Sequence, residues 1–110
     1  MFDDAQPGNV LFEAPTPLEF RVRATRSSWE LIVTVKHPAM AGQDFQVKQT
    51  LQDPDEIRQS RTDPAVHLFY KSVRQKRWTC AVVKRADQGA FLITAYPTDN
   101  IKEGVKLWPM

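Results

Sequence analysis

The sequence contains residue types that could cleave RNA without a metal ion. Such cleavage uses the 2′-hydroxyl of the RNA as the nucleophile, and it needs a proton-transferring group, groups that orient the phosphate, and cations that hold it. Tyrosine rings could in addition stack on bases. We predict four catalytic residues on this basis: His37, Tyr70, Thr94 and Tyr96.

The cations that this chemistry needs are concentrated in the second half of the chain. Six lysines and arginines, and no acidic residue, lie between positions 71 and 85, although the net charge of the whole chain is only +2. A one-sided basic segment is what phosphate binding requires, and an ordinary solvated hairpin has the same composition. We predict four phosphate- or RNA-binding residues: Lys71, Arg77, Lys84 and Arg85.

Each candidate also has a purely structural explanation. His37 could cap a helix end, and Tyr70 and Tyr96 could pack in a sheet with their hydroxyls at its rim. Thr94 is a good strand former and needs no function. We interpret the second histidine, His67, as a surface or hydrogen-bonded residue at the start of a strand.

Several other kinds of site are not indicated. The two histidines fall in separate predicted elements without a carboxylate at ligand spacing, and the only cysteine, Cys80, gives neither a disulfide nor a thiolate metal site. Four glycines provide no glycine-rich phosphate loop. We therefore predict no metal and no cofactor. We also expect a cytoplasmic protein without membrane contact, because there is no signal-like start and no apolar run near the roughly 18 residues that a membrane span needs.

The first half of the chain predicts one strand and two helices. Leu18, Phe20 and Val22 alternate with charged residues, as in a half-exposed strand. Ser27 or Ser28 can cap a following helix, and Pro38 disfavours helical geometry at the preceding residue. We therefore expect His37 at or just past the end of the first helix, where the helix dipole favours an imidazolium ion and the neighbouring lysine opposes it. A second helix is predicted over residues 43–51.

The second half of the chain predicts strands over residues 56–60, 66–73, 77–85 and 91–96, with a further edge strand or wrapping segment over 102–108. Hairpin turns at residues 74–76 and 86–89 would pair Cys80 with both tyrosines, in a row that runs Tyr70, Cys80, Tyr96. The fold class is thus α+β, with two N-terminal helices packed on a four- to five-stranded antiparallel β-meander. Residues 18–110 form a single domain, and residues 1–17, rich in proline, form a flexible arm. Alternation does not decide which face of the sheet the helices cover.

Five short segments follow one another in the chain: Trp29 with Lys36-His37-Pro38, then residues 51–57, 68–71, 78–84 and 93–96. Their order resembles a group of small phage-borne and toxin-type proteins with the barnase-like, EndoU-like and RelE-like ribonuclease fold. The resemblance spans roughly residues 29 to 96, and it implies two helices followed by a four-stranded antiparallel sheet. It also implies that His37, Thr94 and Tyr96 line a site together with a sheet arginine, for which Arg58, Arg77 and Arg85 are all candidates.

Three hypotheses follow for the function. The first is a metal-independent endoribonuclease of toxin or phage-accessory type, whose partners would be RNA and an antidote protein or a second copy of the chain. The second is a nucleic-acid-binding module without catalysis. The third is a protein-interaction domain that pairs through an exposed sheet edge. The first requires His37, Thr94 and Tyr96 to open onto one surface close to a cation.

Overall fold

The computed structural model describes residues 7–87, 89–101 and 103–110, and most of these residues belong to one sheet. Its seven strands follow the order β1-β2-β6-β5-β4-β3-β7. They are β1 (Val10–Pro15), β2 (Arg21–Thr25), β3 (Glu56–Gln59), β4 (Val66–Arg74), β5 (Arg77–Ala86), β6 (Gly89–Thr98) and β7 (Val105–Trp108).

The predicted fold class was wrong, because the sheet is larger and more varied than a meander under two helices. Strands β3 to β6 do run antiparallel in chain order. The sheet is extended by β7 beside β3, and by β2 beside β6 in a parallel pairing. The described part of the chain is therefore mostly sheet, a seven-stranded mixed sheet with two short α-helices. These added pairings join segments far apart in the chain, which local sequence patterns do not encode.

The segment predicted as a flexible arm contributes a strand. Residues 1–6 lie outside the described part, but β1 pairs antiparallel with β2. Phe12 and Ala14 alternate with Leu11 and Glu13, and the two apolar side chains are buried in the core. Pro15 ends the strand at an outer edge of the sheet, where its missing N–H is tolerated. The nearby prolines favoured an irregular segment over this short strand in the sequence analysis.

One face of the sheet, which we call the helix face, packs against the helical segments. The core joins Phe69, Ala81 and Ala95 of the sheet to Ile32 and Leu51 of the helical layer. None of the helices in the described residues combines the length and apolar character needed to cross a membrane. The helical layer consists of α1 (Arg26–Leu31), a π-helical segment (Ile32–Lys36), a 3-10 turn (Pro38–Met40) and α2 (Asp44–Gln52).

The opposite face, which we call the crossover face, carries a smaller apolar cluster. Leu68, Tyr70 and Cys80 are buried there, and Ile101 packs on them. Ile101 belongs to the connection between β6 and β7, which must pass β5, β4 and β3 to reach the far side of the sheet. The Arg58 guanidinium donates a hydrogen bond of 3.3 Å to the carbonyl of Gly104 and so helps to hold this connection.

Gly104 allows the connection to approach the sheet closely, and its replacement should be costly. A Cβ there would lie 2.5 Å from the backbone oxygen of Gln59, whereas a Cβ at Gly42 would meet nothing within 4 Å. Both glycines have positive φ angles, 86° and 80°, so both alanine variants lose about 1–2 kcal/mol for a left-handed backbone. We expect Gly104→Ala to lose about 1–3 kcal/mol more than Gly42→Ala. Equal losses of unfolding free energy in urea would contradict the close approach.

Candidate functional site

The candidate site lies where the sheet opens between β2 and β6. These strands pair at only two positions, the last of them Arg23 beside Phe91, and β2 then leads directly into α1. Within the described residues, no strand pairs with that side of β6 beyond this point. The second half of β6, which carries Thr94 and Tyr96, therefore has a backbone edge without a strand partner, which we call the free edge.

The chain that approaches this free edge is a π-helical turn. The N–H of His37 donates a hydrogen bond of 2.7 Å to the carbonyl of Ile32, five residues earlier. The β-branched residues of segment Ile32–Lys36 crowd a normal α-helical turn, which accounts for the wider one. The prediction that His37 lies just past the helix end is confirmed, because it caps the π-helical segment with an extended φ of −145°. The Lys36 ammonium group fixes this turn to the sheet through a 3.2 Å hydrogen bond to the Ile93 carbonyl.

The turn brings His37 onto Tyr96. Their ring centroids are 5.2 Å apart with an interplanar angle of 41°, and both residues are partly exposed to solvent. Thr94 lies two residues before Tyr96, on the same side of β6. Its Oγ1 is shielded from solvent and has no hydrogen-bond partner among the described residues. Three of the four predicted catalytic residues thus lie close together at one edge of the sheet, but only the His37 and Tyr96 side chains offer their functional groups near solvent.

The fourth, Tyr70, belongs to a buried row. The register Tyr70↔Cys80↔Tyr96 is the one expected from the hairpin turns. Tyr70 is only 2% exposed, so its side chain does not reach a substrate in this structure. Burial is the main cause that raises the pKa of both tyrosines far above the ordinary phenol value, and the adjacent Cys80 raises it further. Both phenols therefore stay neutral and can donate hydrogen bonds but cannot act as bases near neutral pH.

Of the four predicted phosphate-binding residues, only Lys84 shares the crossover face with this site. It pairs with Phe91, and Val82, two residues earlier on β5, pairs with Thr94 across a bulge in the register. Its ammonium group is 3.3 Å from the Asp63 carboxylate in a half-exposed ion pair, which solvent and a phosphate can readily replace.

The other three cations lie on the helix face, because successive side chains along β4 and β5 alternate between the two faces of the sheet. Lys71 donates a hydrogen bond of 2.8 Å to the backbone carbonyl of Asp53. The Arg85 guanidinium stacks 4.5 Å above the Phe20 ring centroid. Arg77 lines a groove beside the hairpin tip. None of the three points to the same surface as Tyr96.

The sequence interpretation missed two residues on the crossover face that suit RNA. Phe91 is partly exposed and lies directly between Arg23 on β2 and Lys84 on β5. Arg23 forms hydrogen bonds of 3.0 and 3.2 Å with Glu13. The alternation of side chains along β2 predicts that Arg23 lies on the other face of the sheet from the buried Val22. No local sequence pattern, however, predicts the pairing of β2 with β6. Arg58 is on this face too, although Glu56 binds its guanidinium at 2.6 Å.

The described residues include no group of three or more histidine, cysteine, aspartate and glutamate side chains arranged to hold a metal ion. His67 lies away from the site, on the helix face. It is 5% exposed, its ring edge contacts Phe20, and its Nδ1 has no partner meeting hydrogen-bond geometry. Burial lowers its pKa, and the Arg85 charge acts in the same direction, whereas the Ala65 backbone opposes the shift.

Cys80 should be chemically inert while the protein is folded. Burial raises the pKa of its thiol to about 12, even though hydrogen bonds with the Tyr96 and Tyr70 hydroxyls act in the opposite direction. At pH 8 only about one thiol in ten thousand is then ionised, against about one in four for an ordinary cysteine. We expect negligible reaction with a disulfide reagent in buffer and full reaction in guanidinium chloride, followed by absorbance. Rapid labelling of folded protein would contradict the buried row.

His67 should make the protein less stable as the pH falls. Its folded-state pKa lies below the unfolded value of about 6.5, so the unfolded chain takes up a proton first and is favoured between pH 7 and 5. Replacing His67 by glutamine removes this contribution. We expect the unfolding free energy of the wild type, relative to His67→Gln, to decrease from pH 7.5 to 5 in urea titrations. A difference that is constant or rises on acidification would contradict this.

Comparison with known proteins adds no relative to these observations. No protein-family model matches the sequence, no curated protein is significantly similar to it, and no solved structure matches its fold. The ribonuclease resemblance of the short segments therefore stays a hypothesis, and the function has to be argued from the geometry around His37 and Tyr96.

Proposed function

We propose that the protein is a metal-independent endoribonuclease that acts on single-stranded RNA at the free edge of β6. The observation that carries the proposal is the 5.2 Å approach of the His37 and Tyr96 rings. An imidazole is the side chain best suited to transfer protons near neutral pH. Here it lies at an open surface, beside a phenol and an unpartnered hydroxyl.

His37 shuttles the proton in the proposed reaction. Its imidazole takes the proton of the RNA 2′-hydroxyl while that oxygen attacks the adjacent phosphorus. The bond from phosphorus to the 5′-oxygen of the next nucleotide breaks, and the imidazolium returns the proton to that oxygen. The products are a 2′,3′-cyclic phosphate and a free 5′-hydroxyl, so no co-reactant is consumed and no metal is required.

Tyr96 orients the phosphate in this proposal. The raised pKa of the Tyr96 phenol keeps it neutral, so it donates a hydrogen bond to a phosphate oxygen as negative charge develops there. Tyr70 acts indirectly, because its buried contact with Cys80 fixes the position of Tyr96 in the row.

Lys84 and Arg23 supply positive charge on the same face. They flank Phe91 from the two neighbouring strands, and a base can stack on this partly exposed ring while the cations attract its phosphates. Each cation already has a carboxylate partner at the protein surface. Exchange of that partner for a phosphate is inexpensive, because exposed ion pairs are worth only about 0–1 kcal/mol.

Replacement of His37 by alanine should abolish the activity. We expect cleavage of a fluorescent RNA oligonucleotide in EDTA to fall by about 10²–10⁴-fold, while binding of a 2′-O-methyl analogue, which cannot be cleaved, is kept. His67→Gln is the matched control, since it removes the other histidine without touching the site. Undiminished cleavage by His37→Ala, or wild-type cleavage only with added metal, would overturn the mechanism.

The same assay separates the alternatives. Binding of the 2′-O-methyl oligonucleotide without any cleavage of RNA would indicate a nucleic-acid-binding module. Association with protein only, unaffected by salt and with no affinity for RNA, would indicate a protein-interaction domain. Within the proposal the protein acts on cellular RNA in the cytoplasm, and an antidote protein or self-association would restrain it.

A further inference from the structure

A second basic surface lies on the helix face, next to the proposed site. It is a groove of about 340 Å³ between the tip of the β4–β5 hairpin and the segment that follows His37. Arg74 and Arg77 form one wall, and Met40 and Gln43 form the other. None of the described residues that line this groove is acidic.

The two arginines face each other across the hairpin, and no described acidic side chain neutralises their positive charges. Arg74 and Arg77 are the last register pair before the turn. Both are exposed, and neither guanidinium has a hydrogen bond or an ion pair with any described residue. Like charges directly opposite each other destabilise a sheet. An anion bound between the two side chains would remove this repulsion.

Two chain segments join the groove to the proposed site. Pro97, which lines the groove, directly follows Tyr96, and neighbouring Cα atoms are about 3.8 Å apart. Ala39, which also lines it, is two residues from His37. A strand of RNA that passes round the free edge of β6 therefore reaches the groove within a few nucleotides.

We propose that Arg74 and Arg77 bind the phosphate backbone of single-stranded RNA next to the phosphate held at His37. The inference rests on the proposed function for the identity of the ligand. The groove adds affinity rather than chemistry: its arginines bind phosphate oxygens through paired N–H donors. Gln43, a helix N-cap residue with no side-chain capping bond, can donate its amide to the same backbone.

The test uses the double variant Arg74→Ala/Arg77→Ala and a 2′-O-methyl RNA oligonucleotide in fluorescence anisotropy. We expect affinity near 100 mM salt to fall about tenfold or more, and the slope of log K against log salt to fall by about 1.4, for two lost phosphate contacts. The control is Arg61→Ala/Lys106→Ala, which removes the same charge. Arg61 lies before the start of β4, whereas the hairpin tip follows the end of β4. Lys106 is on the outer strand β7. We expect at most a small loss in this control.

Two further measurements exclude a merely structural role and a different ligand. Thermal unfolding of the double variant should match or exceed that of the wild type, since a like-charge pair has been removed. Equal RNA affinity and equal salt slope for the double variant and the wild type would overturn the inference. It would also be overturned if an acidic peptide, and not the RNA, lost its binding.

Failure of this inference can be distinguished from failure of the proposed function. If the wild type does not cleave RNA but the double variant still loses affinity, the groove is an RNA site and the catalytic proposal fails. If His37→Ala abolishes cleavage and the double variant binds like the wild type, the catalytic proposal holds and the groove fails.

Discussion

The structure depends on how briefly β2 and β6 pair. Two parallel register pairs join the N-terminal hairpin to the rest of the sheet, and β2 then becomes α1. Had the pairing continued, the backbone of residues 92–98 would be covered and the π-helical turn would have no edge to meet. Because it stops, the Lys36 ammonium group can bind the Ile93 carbonyl. The imidazole of the next residue is thereby placed over Tyr96.

Burial then decides which chemistry is open to each group. The Tyr70, Cys80 and Tyr96 side chains form one row under Ile101, and removal from water disfavours every charged form in that row. The phenols remain neutral donors, and the thiol is not a nucleophile. In the proposed reaction, proton transfer therefore falls to the partly exposed His37 imidazole, which lies against Tyr96 at the end of the row. The connection between β6 and β7 thus leads the chain to the last strand of the sheet and also limits the chemistry of the face that it covers.

Much of this site could be predicted from local sequence, because short turns determine hairpin register. Pro38 located the helix end at His37, and the two hairpins correctly paired Cys80 with both tyrosines. Successive side chains of a strand point to alternate faces of the sheet. Applied to the predicted cations, this rule assigns Lys84 to one face and Lys71 and Arg77 to the other. A regular register continued from the Cys80–Tyr96 pair would also place Val83 beside Ile93, but a bulge between Val82 and Val83 places it beside Leu92 instead. The parallel pairing of β2 and the position of β7 had no local signal, since they join distant segments.

The shape of the β6 edge restricts the nucleic acid that the protein could bind. The site near Tyr96 opens on the crossover face, whereas the arginine groove opens on the helix face, and only the edge of one strand separates them. A ligand in contact with both must turn sharply round that edge. An A-form duplex is a stiff, wide rod whose bases are inaccessible in its deep major groove, so it can contact one face only. Under the proposed function, a single strand can bend, place a base on Phe91 and carry its phosphates past His37 to Arg77. If RNA is the ligand, this geometry therefore favours an unpaired strand over a duplex, whatever its base sequence.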